Sequence, residues 1–321
     1  MMPSGVVSLF DVQANGFAGV DFQNPNLSPA ELRRAALGLA LHQTSRFFVT
    51  LITDKTQTLA KKLENLQRIR EEDETVAQAV CGYHLEGPWI SPEDGYRGAH
   101  DRRHTTAPNA ADFKRLQAAA GGNIRLVTLA PELPGCIEFI RILVDKGVEV
   151  SLGHTNASEQ EIDDAIRAGA RFCTHVGNGT PLEMHRHDNI IQRLLARDEL
   201  TAFFIPDGIH LRPNVLKNFF RAKPPGKALF TTDCMAAAGA PPGRYTLGSL
   251  SLEVGDDRIV RQPGKMNFAG SALCMDEGVR NVENWINLRK SDARRLFSTA
   301  IAEHFQIRLP RLQQNYENAS I

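Results

Sequence analysis

Two histidines are the first residues in this chain whose type and spacing indicate chemistry. His154 follows a short apolar run at 148–152, and His175 follows another at 171–174. Both runs are rich in β-forming residues, and the intervening SEQE (158–161) is a capping box that predicts a helix. The segment is therefore predicted to be a β-α-β unit. In a parallel sheet both histidines would lie at the carboxyl edge, where ligands bind, although either alone could be an ordinary strand-end residue.

The same alternation of strands and helices extends over most of the chain. Apolar runs predict eight strands, at 6–12, 46–52, 79–85, 124–129, 148–152, 171–174, 201–205 and 228–232. Eight strands with helices between them is the number that closes a (β/α)8 TIM barrel, so an α/β fold of this kind is predicted. A doubly wound open sheet is the alternative, but no GxGxxG motif follows the first strand.

The domain organisation follows from the same pattern. Residues 1–308 are predicted to form one catalytic barrel, with a β-hairpin insertion at 244–268 where a Gly-Asp-Asp turn separates two alternating runs. Helices at about 276–287 and 291–305 complete the core. The polar segment 309–321 is predicted to be a loose C-terminal tail.

Composition narrows the class of partner. The 321 residues include 37 Lys and Arg and 37 Asp and Glu, so no net charge favours nucleic acid or an anionic membrane. Five separate cysteines without a CxxC motif suit a reducing compartment. The N-terminus lacks the pattern of a signal peptide, and no apolar run approaches 18 residues. A cytoplasmic protein acting on a small molecule is therefore expected.

Polar residues collect at the predicted carboxyl ends of the strands. They are Gln13, Asn15, His84, Glu86, His154, His175, Asn178, Asp207, His210 and Asp233. One carboxylate, Glu86, and two imidazoles, His154 and His175, match the three-ligand pattern of a catalytic divalent metal. Asp233, after the last strand, is then the predicted proton carrier.

Several of these residues have a structural alternative. Glu86 could pair with an arginine, and Asp233 could cap the turn after its strand. His84 alternates with Glu86 and either points toward the same site or is held by hydrogen bonds. The HRH sequence at 185–187 lies on an irregular loop, so surface or anion-contact roles are favoured over a metal cluster. Asn178 and the glycine after it could let backbone N–H groups approach a substrate, or could form a plain turn.

Several motifs together resemble the amidohydrolase superfamily, and within it the N-acetylglucosamine-6-phosphate deacetylases. The resemblance extends from about residue 11 to 303. It is carried by DVQANGFAGVDF (11–22), YHLEGPWISPEDGYRGAH (83–100), SLGHTNAS (151–158), THVGNG (174–179), DGIH (207–210), TTDCMAAAGAPPGRYTLG (231–248) and FAGSALCMDEGVRN (268–281).

This resemblance implies a metal-dependent amide hydrolase that deacetylates an N-acetyl amino sugar, with N-acetylglucosamine 6-phosphate the expected substrate. It implies a metal held by Glu86, His154 and His175, and Asp233 acting first as general base and then as general acid. The HxH pair that binds a second metal in many amidohydrolases is here Gln13-Ala-Asn15. A single divalent ion per subunit is therefore expected, zinc first and iron as the alternative.

The resemblance also implies the substrate contacts. Asn178 and Gly179 would contact the sugar or phosphate, and His210 and His100 would contact substrate. Arg186 would reach the phosphate of a substrate bound in a neighbouring subunit, which requires a homodimer.

Two features depart from the family pattern. The small β-sandwich that usually accompanies the barrel is expected to be absent or reduced to the hairpin. The usual HLFNAM is here HVGNGT, and the following PLEMHRHDN lacks the usual Pro-Gly. These changes lie on predicted substrate-binding segments. The alternatives are therefore an amidohydrolase for another amide or a cyclic ureide, or a catalytically silent barrel that binds a sugar phosphate.

Overall fold

The computed structural model describes residues 5–264 and 268–312. Part of the predicted tail, 313–321, and residues 265–267 of the predicted insertion lie outside the described residues. The strands are Leu9–Ala14 (β1), Gly16–Phe17 (β2), Val20–Asp21 (β3), Thr44–Ile52 (β4), Val80–Glu86 (β5), Ile124–Leu129 (β6), Glu149–Leu152 (β7), Phe172–Cys173 (β8), Thr201–Phe204 (β9), Ala228–Phe230 (β10), Gly243–Leu247 (β11), Leu250–Val254 (β12) and Val260–Arg261 (β13).

The α-helices lie mostly between the strands of the main sheet. They are Pro29–Leu41 (α1), Thr56–Glu72 (α2), Glu74–Ala79 (α3), Ala110–Ala119 (α4), Cys136–Asp145 (α5), Glu159–Ala168 (α6), Ile190–Leu195 (α7), Pro213–Ala222 (α8), Met275–Val282 (α9), Lys290–Arg295 (α10) and Thr299–Phe305 (α11). A 3₁₀ turn at Arg102–His104 and a π-helical turn at Glu283–Asn287 are also present. No helix within 5–264 and 268–312 combines the length and apolar character needed to cross a membrane.

Eight parallel strands form one sheet in the order β1-β4-β5-β6-β7-β8-β9-β10. Each strand pairs with the next strand of this sheet along the chain, so all connections run the same way and all carboxyl ends lie at one edge. The α/β class and the eight parallel strands predicted from the sequence are confirmed.

One aromatic ring shows that the sheet is curled. Phe305 of α11 lies with its ring centroid 6.1 Å from that of Phe10 in β1 and 5.0 Å from that of Phe48 in β4. It also stacks on Phe172 of β8 at 5.5 Å. Because β1 and β8 are five positions apart in the sheet, a flat sheet could not bring both against one ring. Phe305 therefore packs inside the curve.

The helix starts follow the sequence signals closely. The Ser28 N–H donates to Glu31 Oε2 at 2.8 Å, and Ser158 makes the same contact with Glu161 at 2.7 Å, so both capping boxes are formed. The helix predicted at 291–305 is wrong in one respect, because the chain breaks at Ser298 and forms α10 and α11 instead. The hairpin of β2 and β3 and the short α3 were not predicted.

A second, three-stranded antiparallel sheet follows the main one, in the order β11-β12-β13. Its inner side chains Leu247, Leu252 and Val260 are buried against Met235 and Ala236, which come just after β10. This small sheet therefore packs beside the carboxyl edge of the main sheet.

The two edge strands of the main sheet meet at a seam with few backbone contacts. Ala14 of β1 and Cys234 form an isolated parallel bridge, and the Asn15 N–H donates to the Cys234 carbonyl at 2.7 Å. By contrast, β4 and β5 pair over six positions. Side chains must therefore supply much of the cohesion between β1 and the segment after β10.

Asp11 is the main side chain in this seam, and it is completely buried. Its carboxylate accepts hydrogen bonds from the hydroxyls of Thr231 and Thr232, each at 2.5 Å, and from the Gln13 N–H at 3.2 Å. Burial raises the pKa of Asp11, and the two threonine hydrogen bonds oppose that rise. The threonines thus compensate for taking the carboxylate out of water.

Replacing Thr232 with valine should destabilise the protein. Thr232→Val keeps the side-chain shape but leaves one Asp11 oxygen without its hydroxyl partner, at a cost of about 1–3 kcal/mol in the free energy of unfolding. Urea denaturation followed by circular dichroism measures the change. Thr246→Val is the matched control, because Thr246 makes a similar 3.0 Å bond to Asp21 on the surface, where a change within about 0.5 kcal/mol is expected. Equal effects of the two changes would contradict this account of the seam.

Candidate metal centre and active site

The residues predicted to hold a metal come together at the carboxyl edge of the main sheet. Glu86 is the last residue of β5, while His154 and His175 each lie two residues beyond the ends of β7 and β8. His175 Nε2 lies 2.8 Å and His154 Nε2 lies 3.2 Å from the same oxygen, Glu86 Oε1. All three side chains are buried, and their donor atoms lie within 4.8 Å of one another.

Hydrogen bonding around His154 indicates what this arrangement is built to hold. His154 Nδ1 lies 2.9 Å from the Tyr96 carbonyl oxygen, which can only accept, so Nδ1 carries the proton. In a neutral imidazole Nε2 is then an acceptor, and it faces the Glu86 carboxylate, a second acceptor. A cation or an additional proton between them removes the repulsion. A buried donor set of two imidazole nitrogens and one carboxylate oxygen fits a divalent metal.

Three residues around the centre adopt an unusual backbone conformation. His154 and Asp233 have φ of 52° and His175 has φ of 25°, all in the left-handed region that non-glycine residues rarely adopt. Each such residue costs of order 1–3 kcal/mol and persists only where its surroundings fix it. The left-handed turn just past each strand directs the side chain toward the common site.

The charges in the centre influence one another strongly. Burial alone would raise the pKa of Glu86, but with a proton between each imidazole and the carboxylate, hydrogen bonds from His154 and His175 hold it well below its usual range. The pKa of Asp233 is raised, first by desolvation and then by the negative charge of Glu86. Two carboxylates whose pKa values are shifted in opposite directions therefore lie close together, which is typical of paired catalytic groups.

Gln13 connects these two carboxylates. Its Nε2 donates to Glu86 Oε1 at 2.9 Å and to Asp233 Oδ1 at 3.0 Å, and its Oε1 accepts from the Thr174 hydroxyl at 2.6 Å. Asn15 Nδ2 also donates to Asp233 Oδ1, at 2.7 Å. The predicted second-metal positions are thus occupied by amide donors that bind carboxylates.

The two nearby histidines have different surroundings. His84 is not in the metal cluster, because its Nε2 lies 2.8 Å from the Thr128 hydroxyl and its Nδ1 lies 3.1 Å from the Val12 carbonyl. The hydrogen-bonded alternative is therefore the correct one for His84. His100 is also buried, with Nδ1 2.8 Å from the Thr53 hydroxyl and its ring centroid 4.4 Å from that of His154. Burial lowers the pKa of His84 to about 4 and that of His100 to about 3.

The residues predicted to contact substrate lie on the loops that follow β5, β8 and β9 of the main sheet. Asn178 is half-buried, and its Nδ2 donates to the His175 carbonyl at 3.1 Å. His210 Nδ1 lies 2.5 Å from Asp207 Oδ2. Arg186 is exposed on the loop between β8 and α7. On that loop His185 Nδ1 accepts from the Asp188 N–H at 2.9 Å, which supports a local role for this histidine.

Glu132 was missed in the sequence although it follows the same rule as the other site residues. It lies just past β6, and its half-buried carboxylate accepts from the Thr155 hydroxyl and, at 2.8 Å, from the Asn156 N–H. These two residues follow His154 directly, so Glu132 fixes the loop that carries a metal-site histidine. The signal was available, because Glu132 is a charged residue at the carboxyl end of a predicted strand.

Two glycines enclose the His154 ring. A Cβ on Gly179 would lie 2.8 Å from His154 Nδ1, and a Cβ on Gly98 would lie 2.9 Å from His154 Cε1. Both glycines have positive φ, at 60° and 59°. The glycine after Asn178 is thus required for the close approach of backbone to this ring.

Gly179→Ala should displace His154 and weaken metal binding at least tenfold, because any Cβ at that position collides with the imidazole. Isothermal titration with Zn²⁺ measures the affinity. Gly122→Ala is the matched control, since Gly122 also has positive φ but a Cβ there would meet nothing within 4 Å. Both variants should lose about 1–2 kcal/mol of stability from backbone strain. Unchanged metal affinity in Gly179→Ala would contradict the packing argument.

Comparison with known proteins identifies the family. No family model matches the chain. It is 32% identical over 301 residues to N-acetylglucosamine-6-phosphate deacetylase of Bacillus subtilis (strain 168), a match that covers 93% of this chain and 74% of the relative. The same enzyme of Bos taurus is 38% identical over 280 residues, with 84% of this chain and 67% of the relative covered.

A solved structure gives the same result. An aspartate-to-alanine variant of N-acetyl-D-glucosamine-6-phosphate deacetylase from Mycobacterium smegmatis, in complex with N-acetyl-D-glucosamine-6-phosphate, has a TM-score of 0.86 and 28% identity. The match covers 97% of this chain and 80% of that chain. This chain therefore belongs to the N-acetylglucosamine-6-phosphate deacetylase family of amidohydrolases.

Proposed function

We propose that this protein hydrolyses the acetamide of N-acetylglucosamine 6-phosphate and releases acetate and the free amine. The observation that supports this most directly is the contact made by Gln13 with both Glu86 and Asp233, at 2.9 and 3.0 Å. Both carboxylates therefore border one small volume at the carboxyl edge of the sheet, next to two imidazoles. Metal-assisted amide hydrolysis uses this combination of a metal centre and a separate proton carrier.

Glu86, His154 and His175 would hold one divalent ion, which would polarise the amide carbonyl and acidify a water molecule. Zinc is the preferred candidate and iron the alternative, since both accept imidazole and carboxylate ligands. A single ion is favoured because the amide nitrogens of Gln13 and Asn15, which point at Asp233, are donors and cannot bind a cation.

Asp233 would move the proton. Its Oδ1 accepts from Gln13 and Asn15, which fixes the carboxyl group and leaves Oδ2 with no hydrogen bond in the described part of the chain. Oδ2 is then free to take the proton of the attacking water and to return it to the amine as the C–N bond breaks. Desolvation raises the pKa of this carboxyl and makes it a stronger base than an exposed aspartate.

Asp233→Asn should keep its metal and lose turnover by about 10²–10⁴-fold, because Asn cannot accept and return the proton. Acetate release from N-acetylglucosamine 6-phosphate measures turnover, and metal analysis of the same sample separates lost chemistry from lost metal. A variant that keeps both metal and a comparable rate would contradict the assignment.

A substrate panel tests the reaction itself against its alternatives. Wild-type protein should act on N-acetylglucosamine 6-phosphate faster than on the unphosphorylated sugar, simple amides or a cyclic ureide. Faster turnover of another amide would favour a different amidohydrolase reaction. No turnover of any compound, together with less than a tenth of an equivalent of metal after reloading, would favour a silent sugar-phosphate-binding barrel.

Substrate binding is proposed for Asn178, Gly179, His210 and His100 around the sugar, with Arg186 reaching the phosphate in a neighbouring subunit. Support comes from the exposed loop that carries Arg186, where the Leu182 side chain is 98% exposed. An apolar side chain so open to water, four residues from an exposed arginine, suits a loop that meets another protein surface. A homodimer is therefore proposed.

Arg186→Ala should raise the KM for N-acetylglucosamine 6-phosphate roughly tenfold or more and leave kcat nearly unchanged, because hydrogen bonds to charged groups are worth about 1.5–3 kcal/mol. The unphosphorylated sugar should show no such change. Sedimentation of the same samples gives the oligomeric state. If the wild-type protein is a monomer and Arg186→Ala leaves KM unchanged, the proposal fails.

The fold closure, the location and the class of partner are proposed as well. The curled sheet is proposed to be a closed (β/α)8 barrel within a single domain at 1–308, with the small sheet of β11, β12 and β13 as an insertion. A cytoplasmic location is proposed because all five cysteines are free thiols. The partner is proposed to be a small amino-sugar substrate, without nucleic acid or membrane.

A further inference from the structure

A second cluster of side chains that could hold a metal shares no residue with the active-site cluster. His42 follows α1, Cys274 immediately precedes α9, and Asp276 lies in the first turn of α9. One donor atom from each lies within 4.8 Å of a donor atom from each of the others. His42 Nδ1 and Asp276 Oδ1 are 3.1 Å apart. From this cluster we infer a second metal site, for zinc or a similar divalent cation, held by His42, Cys274 and Asp276.

The donor set and its spacing suit zinc. Imidazole nitrogen, thiolate sulfur and carboxylate oxygen are the three ligand types that zinc binds in proteins, at about 2.0–2.3 Å. Ligands at a tetrahedral ion are then roughly 3.3–3.8 Å apart, so no two donor atoms of the observed cluster need to approach by more than about 1.5 Å. The fourth position would be filled by water.

The Cys274 thiol is available for such a role. Cys274 is the N-cap residue of α9, but its side chain makes no capping hydrogen bond to the helix. Its side chain is nonetheless buried, at 4% exposure. A negatively charged side chain is stabilised at the N-terminus of a helix, which favours the Asp276 carboxylate in this place.

Access and neighbouring charges also permit an ion. The His42 side chain is 37% exposed and that of Asp276 15%, so the cluster opens to solvent on one side. Arg280 binds Asp276 through Oδ2 at 3.0 Å and leaves Oδ1 facing His42.

This site would change how metal content is interpreted. Gln13 and Asn15 stand where many amidohydrolases bind a second catalytic ion, so the active site is expected to hold one. A protein that contains two equivalents of metal would then hold the second in the cluster of His42, Cys274 and Asp276, between α1 and α9. The two sites differ in chemistry, because the active-site ligands include no sulfur.

Cobalt titration distinguishes the two sites directly. Metal-free full-length protein is titrated with Co²⁺ under anaerobic conditions, and bound metal and the near-ultraviolet thiolate-to-cobalt absorption are both measured. Wild-type protein should bind two equivalents and show the absorption. Cys274→Ser should lose the absorption and weaken the second equivalent at least tenfold, while keeping the first. Serine is a favoured N-cap residue, so this variant should fold.

Two further variants serve as controls. Cys81→Ser should behave like the wild type, because Cys81 is a half-buried thiol that contacts the Ala79 carbonyl and lies outside the cluster. Glu86→Gln should lose the active-site equivalent and keep the absorption. Absence of the absorption in the wild type, or its survival in Cys274→Ser, would overturn the proposal. Neither result depends on whether the protein deacetylates a sugar.

Discussion

The buried carboxylate of Asp11 is the interaction on which the active site depends most. The first strand and the segment after the last strand share one isolated bridge, and Asp11 adds 2.5 Å hydrogen bonds to Thr231 and Thr232. Gln13 lies two residues after Asp11, and Asp233 directly follows Thr232. A single buried side chain therefore fixes both the residue that connects the carboxylates and the predicted proton carrier. Its desolvation is tolerated because its oxygens have hydrogen-bond partners.

The strained backbone of three residues directs their side chains toward this centre. His154, His175 and Asp233 each adopt a positive φ directly after a strand or its extension. Since three such conformations cost several kcal/mol together, the fold must supply that energy elsewhere. It does so through close packing around them, including the approach of Gly98 and Gly179 to the His154 ring. Rigidity at this edge is thus obtained at a cost in local stability, and it fixes the positions of the proposed metal ligands.

Much of this could be predicted from the sequence, because strand ends in a parallel sheet share one edge. That rule alone brought Glu86, His154, His175 and Asp233 together, and it would have found Glu132 had it been applied to the strand at 124–129. It could not decide the orientation of His84, because a side chain between Thr128 and Val12 depends on the packing of three strands. The contacts of Asp11 could not be predicted from the sequence either, because they join residues 220 positions apart.

The amide residues Gln13 and Asn15 change what this edge of the sheet can bind. With histidines in their place, this edge would offer ligands for a second cation next to Asp233. The amides instead donate two hydrogen bonds to Asp233 Oδ1 and one to Glu86 Oε1. They thereby supply fixed positive dipoles where a second ion would otherwise balance two neighbouring carboxylates. Because amide donors do not titrate and are part of the chain, the position of Asp233 does not depend on occupancy of a second metal site.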